Sequence, residues 1–177
     1  MSSPRKGANS ETIVRSVIEG AKANGKDVKE FYLNGMMNAK GCQACMACKK
    51  GAGCVVKDDN AEVLKAIRDS EGVILSTPCY FGEANGQFRL LQDRFFSFLN
   101  GDFSANIAPG KKLVTIVTCG GGLEGATALA DKLEGGLAGM MGFTPIGKIV
   151  TPGCNPPDTA GKDSDVLAKA KDIGKKF

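Results

Sequence analysis

Residues 72–82 read Gly72-Val73-Ile74-Leu75-Ser76-Thr77-Pro78-Cys79-Tyr80-Phe81-Gly82, an apolar run that empties into a proline, two aromatics and a glycine. A strand covered on both faces has no polar side to alternate with, so an unbroken run predicts a buried strand over 72–77 that ends at Pro78. Residues 112–118 repeat the signature and empty into Cys119-Gly120-Gly121-Gly122. Two further strands are expected: 143–151, marked as an edge by Pro145, and 27–33, where Val28, Phe31 and Leu33 are apolar. Helical spacing fills the gaps. Ile13, Val14, Val17, Ile18 and Ala21 share one face of 10–24, with Asn9 or Ser10 as N-cap; Asp59 and Glu62 open a helix carrying Val63, Leu64 and Ile67. Further helices are expected over 85–99, 123–141 and the lysine-rich 163–176. In 123–141 the glycines Gly125, Gly135, Gly136 and Gly139, each costing about 1 kcal/mol relative to alanine, ask for close packing. Alternating strands and helices force parallel pairing and right-handed crossovers, hence a doubly wound parallel α/β sheet forming one domain over 1–177.

The chain has 177 residues with 23 Lys and Arg against 19 Asp and Glu, a net charge of +4. That balance is too mild to call for nucleic acid, and a phosphate-bearing small ligand fits it as well. No apolar run reaches the roughly 18 residues of a membrane helix, and Met1–Gly7 lacks a signal-peptide core, so no membrane partner and a cytoplasmic location are expected. There is no histidine. Ser-His-Asp triads, Cys-His pairs and imidazole metal ligands are therefore excluded. Seven cysteines in a reducing compartment argue for thiols that are buried, reactive or metal-bound.

Ligands of such sheets bind beyond the carboxyl ends of the strands. Three loops should meet there. In 3–10 (Ser3-Pro4-Arg5-Lys6-Gly7-Ala8-Asn9-Ser10), the hydroxyls of Ser3 and Ser10, the Asn9 amide and the Arg5 cation precede a helix start whose dipole favours an anion such as a phosphate monoester. In 78–82, Pro78, Cys79, Tyr80, Phe81 and Gly82 offer flat apolar surface and close backbone approach to a planar ring. Thr118, Cys119, Gly120, Gly121 and Gly122 again permit close approach. Each loop taken alone is equally compatible with a polar N-terminus, a core-covering turn or a flexible connection.

Residues 34–57 hold no period and form a long loop, a length that in compact domains accompanies function. Within it, Cys42, Cys45, Cys48 and Cys54 follow a C-x2-C-x2-C-x5-C spacing, close to that of ferredoxin-type iron–sulfur loops; free thiols and structural zinc remain open alternatives. Lys40, Lys49, Lys50 and Lys57 surround the run and would offset thiolate charge. Lys162, Lys169, Lys171, Lys175 and Lys176 make either a solvated helix face or a dock for an acidic electron carrier.

Taken together, residues 3–151 resemble the flavodoxin-like NAD(P)H-dependent FMN reductase family, in particular its iron–sulfur flavoprotein branch. Ser3 to Glu11 is similar to the family's FMN-phosphate loop. Thr77 to Gly82 with Asp93-Arg94 resembles the second flavin loop and the helix behind it, and Thr118 to Gly122 stands where the third lies. The cysteine loop, 41–55, followed by Val55-Val56-Lys57-Asp58-Asp59, resembles the branch's 4Fe-4S motif. The resemblance implies FMN on Ser3, Arg5, Asn9, Ser10, 78–82 and 118–122, and a 4Fe-4S cluster on Cys42, Cys45, Cys48 and Cys54. It further implies NAD(P)H, another small molecule or a ferredoxin-type protein as electron donor or acceptor, no catalytic side chain beyond the cofactors, and a homodimer or homotetramer. Two alternatives stand beside it: a cluster-free NAD(P)H-dependent FMN or quinone reductase, and a structural module without flavin. Family members begin with a buried apolar strand, whereas only Met1 and Ser2 precede Ser3 here. Either the sequence is a shortened version of the family's chain, or the sheet closes differently, without the usual first strand, on four strands: 27–33, 72–77, 112–118 and 143–151.

Overall fold

A computed structural model describes residues 1–51 and 53–177. The order is α1 (Asn9–Ala23), α2 (Asp59–Asp69), β1 (Gly72–Tyr80), β2 (Glu83–Ala84), α3 (Gly86–Gln92), β3 (Lys112–Thr118), α4 (Leu123–Met141), β4 (Thr144–Thr151) and α5 (Ser164–Gly174), with short 3-10 turns between. The sheet runs β2-β1-β3-β4, with β1, β3 and β4 parallel and β2 closing an antiparallel hairpin on β1. Leu113 and Val117 of β3 face a core shared with α2, α3 and α4, while Val114 and Ile116 face one shared with α1 and α5. This two-sided burial is why β1 and β3 read as unbroken apolar runs.

Four expectations need correction. Residues 27–33 are extended around Tyr32 but form no strand. They lie one strand-width from β1, and in the space between them only Met1 and Ser2 are present: the Met1 amine donates to Phe31 O, Leu33 N–H to Met1 O, and Ser2 N–H to Ser76 O. A ladder needs a neighbour along its length, and this one has two residues. Secondly, β1 does not end at Pro78 but runs on to Tyr80. Because main-chain groups alternate sides and Ser76 faces Ser2, Pro78 also faces away from β3, so its missing N–H breaks no rung of that ladder. Thirdly, the helix over 85–99 divides into α3 and a 3-10 stretch, Asp93–Phe98. Fourthly, the N-caps are Ala8 for α1 and Asp58 for α2, each one residue earlier than expected. In α4, nothing lies within 4 Å of a Cβ built at Gly135, Gly136 or Gly139, so close packing does not account for them. The other helices and the β4 edge follow the sequence reading. Among the described residues no helix is long and apolar enough to cross a membrane.

Candidate functional site

The parallel strands deliver loops 3–10, 78–82 and 118–122 to one rim. Ser10 Oγ and Thr118 Oγ1 share a buried hydrogen bond of 2.7 Å that ties the first loop to the third. Gly82 lies against the start of α4, 3.9 Å from where a Gly125 Cβ would stand, which ties the second loop to the third. Ser2 anchors the first loop from below, its N–H and hydroxyl donating to Ser76 O, while Asn85 Nδ2 donates to Ser2 O at 2.7 Å. Asn85 is also the N-cap of α3, accepting from Phe88 N–H, and bonds Thr77 Oγ1. Its position between two glycine-flanked loops gave no sequence signal beyond a helix start.

A fourth segment completes the rim. Asn9 Nδ2 donates to Cys154 O and Pro156 O, its Oδ1 accepts from Ala160 N–H, and Arg5 donates to Asn155 O and Cys154 O, both at 2.8 Å. The Asn9 amide is thus consumed by loop 154–160 and is not free for a ligand. Arg5 keeps its charge at the rim, but two of its N–H groups are spent. Gly120 packs so closely on Asn155 that a Cβ would stand 2.0 Å from Oδ1. Ala8 provides no side-chain cap to α1, so no capping side chain takes up its first-turn amides. Phe81 is fully exposed at φ 53°, a conformation that costs a non-glycine residue energy, with Tyr80 half-exposed beside it. Burial pushes the thiols of Cys119 and Cys154 above the ordinary cysteine range, with Cys79 adding to it at Cys119 and Cys119 adding to it at Cys154, so both are poor nucleophiles.

The second centre is the cysteine loop. Cys42, Cys45, Cys48 and Cys54 line one small hollow together with Val55, Arg94 and Phe96. Left-handed backbone at Ala44 and Met46, the residues beside Cys45, winds the chain around it. All four are free thiols, Cys42 and Cys45 exposed, Cys48 buried and Cys54 intermediate. Among the described residues no three such groups stand close enough to hold a metal. The four thiols are the donor type that an iron–sulfur cluster takes, with Cys42 and Cys45 the exposed pair, but they are not gathered to ligand spacing.

Arg94 holds this loop. Its buried guanidinium donates to Cys54 Sγ (3.1 Å), Lys40 O (3.0 Å), Val56 O (3.2 Å) and Asp58 Oδ2 (2.9 Å). Burial works against its charge, but the bonds to Asp58 and Cys54 outweigh that and hold its pKa above the usual arginine value. The sequence signal was a lone arginine amid Leu91, Phe95 and Phe98 at helical spacing. The Lys49 ammonium has neutral partners: it donates to Phe96 O and Leu99 O and sits 3.5 Å from the Phe96 ring centroid.

The profile of the NADPH-dependent FMN reductase family matches residues 1–153. The chain belongs to that family. An "Iron-sulfur flavoprotein" of Methanosarcina thermophila is 32% identical over 122 residues, 69% of this chain and 63% of that protein. A protein of the same description from Archaeoglobus fulgidus is 24% identical over 182 residues, spanning this whole chain and 76% of its own. The match thus covers less than two thirds of the first of these relatives. An "NAD(P)H:quinone oxidoreductase from Methanothermobacter marburgensis" has the same fold, with a TM-score of 0.78 at 18% identity, over 99% of this chain and 92% of that one. The expected flavodoxin-like architecture is therefore the observed one.

Proposed function

We propose that this family member is a flavin-dependent oxidoreductase that passes electrons between FMN at the strand-end rim and a 4Fe-4S cluster in the cysteine loop. The observation that carries the cluster is the single hollow shared by Cys42, Cys45, Cys48 and Cys54. Bound FMN supplies exchange between two-electron and one-electron chemistry, and the cluster a one-electron outlet.

The chain's own residues bind and orient. Ser3, Ser10 and the first-turn amides of α1 hold the phosphate, with Arg5 adding charge from the side; Asn9 acts through the loop that it braces. Pro78 to Gly82 and Thr118 to Gly122 would flank the ring, and the main-chain N–H groups of Cys79 to Gly82 and Cys119 to Gly122 would favour negative charge on it. Arg94 fixes Cys54. NAD(P)H, another small molecule or a ferredoxin-type protein exchanges electrons with this pair, in a homodimer or homotetramer. Several lysines of the C-terminal segment are paired within the chain, Lys162 with Asp158, Lys171 with Glu19 and Lys175 with Asp172, which favours the solvated face over an acidic carrier there.

Anaerobically purified protein tests both cofactors in one sample. About four iron and four sulfide per chain with one FMN are expected. Iron near zero after anaerobic reconstitution removes the cluster, and absence of bound flavin in excess FMN removes the flavin.

A further inference from the structure

Residues 154–160 touch two of the three rim loops at once. Against loop 3–10 they are held by side chains. Arg5 donates to Asn155 O and to Cys154 O, both at 2.8 Å, and Asn9 Nδ2 donates to Cys154 O and Pro156 O. Against loop 118–122 they are held by main chain and by packing. Cys154 N–H donates to Cys119 O at 2.8 Å. The Asn155 side chain then lies on Gly120: its Oδ1, Cγ and Nδ2 stand 2.0, 2.6 and 2.9 Å from where a Gly120 Cβ would be. The amide fills the place of the side chain that Gly120 lacks. A Cβ at Gly121 or Gly122 would meet nothing within 4 Å, so among the described residues Gly120 is the one of the three against which the rest of the chain packs. Asn155 is thus tied at both ends, its carbonyl to the arginine of the anion loop and its amide to the first glycine of the ring loop. It lies just past residues 1–153, the stretch that the family profile matches.

We propose that Asn155 is a positioning residue that couples the two ends of the flavin site, so that a phosphate group on loop 3–10 tightens the hold of loop 118–122 on a flat ring. The inference rests on the flavin reading and makes Asn155 the residue that favours a phosphorylated flavin over an unphosphorylated one. The physical path is short. A guanidinium has five N–H donors, and Arg5 uses two of them on the carbonyls of Asn155 and Cys154, which leaves it open to a further acceptor. An arriving phosphate oxygen fixes it through charge-assisted hydrogen bonds. Because its donors form one rigid planar fork, fixing the guanidinium fixes both carbonyls as well. Asn155 then holds Gly120, which by residue type is the least restrained point of its loop. Without that hold, the entropy of ordering three consecutive glycines falls on the ring alone. A phosphate that has already ordered the first of them leaves less for the ring to order, which is positive coupling between two halves of one ligand.

The test splits FMN into riboflavin and inorganic phosphate and follows flavin fluorescence with the whole chain and its Asn155→Ala variant. With the unaltered chain, saturating phosphate is expected to tighten riboflavin about fivefold or more, relative to chloride at equal ionic strength. Asn155→Ala is expected to abolish that gain, to weaken FMN by about the same factor, and to change riboflavin alone by less than about twofold. Arg5→Lys keeps the charge but lacks the fork, and is expected to lose the gain too. Absence of the gain in the unaltered chain, or its survival in either variant, overturns the proposal. So does an equal weakening of FMN and riboflavin by Asn155→Ala, the mark of mere support. FMN that fails to bind the unaltered chain overturns the flavin reading together with this inference, whereas FMN that binds both chains equally removes the inference alone.

Discussion

Loop 3–10 and loop 38–58 border the two proposed cofactor sites, yet only the second is built around a buried ion pair. The first is stitched by hydrogen bonds from separate partners, neutral ones to Ser76, Asn85, Thr118 and the carbonyls of Cys154 and Pro156 and charged ones from Arg5 to Cys154 O and Asn155 O. The second has one buried charged group at its centre, Arg94, whose four bonds reach Lys40, Cys54, Val56 and Asp58, with outer ties from Asp59 to Asn38 N–H, Asp58 to Lys40 N–H, Asn60 to Lys40 O and Lys49 to Phe96 O and Leu99 O. Distributed tethers lose little when one is cut. A single buried ion pair is all-or-none, because removing one partner strands the other charge out of water.

Arg94→Gln is the most direct way to break this contrast. It leaves Asp58, 1% exposed in its side chain, without its cation, and about 3–5 kcal/mol should be lost in urea unfolding at 25 °C. Iron retained after anaerobic reconstitution should fall with it. A cost near 1 kcal/mol would make the two loops alike. On the side of loop 3–10, the Met1 amine titrates at about 6 when folded against 8.0 when free. The unfolded chain then holds more protons between these values, so stability rises with pH from about 6 to 8, by at most about 2–3 kcal/mol. Acetylating the terminus should flatten that slope; a slope that survives belongs to other groups. Asn85→Ala should cost about 2 kcal/mol, since it strands Ser2 O and removes the α3 cap, and thermal unfolding will show it. Ser10→Ala should cost only about 1 kcal/mol, measured in the same way, and any cost above that of Arg94→Gln would invert the comparison.

The same division explains what could be read from residues alone. Buried strands announce themselves through composition, so 72–77 and 112–118 stood out, and the glycines and aromatics at their ends marked the rim. The cysteine spacing marked the hollow. Asn9 also stood out, but in the wrong role, because sequence shows which groups it carries and not which carbonyls come to meet it. Cys154 carried no signal. Its role lies in a carbonyl that accepts from Arg5 and Asn9, and every residue has a carbonyl.

What the sequence determined by itself was the kind of each layer: apolar runs that must be covered twice, amphipathic stripes that must cover them, and a four-thiol loop. These follow from local periodicity and side-chain chemistry. What only the tertiary structure decided was pairing. Residues 27–33 have a strand's alternation yet form no strand, because hydrogen bonds of a sheet belong to two chains at once and the place beside them holds only Met1 and Ser2. A strand's pattern is local; its partner is not.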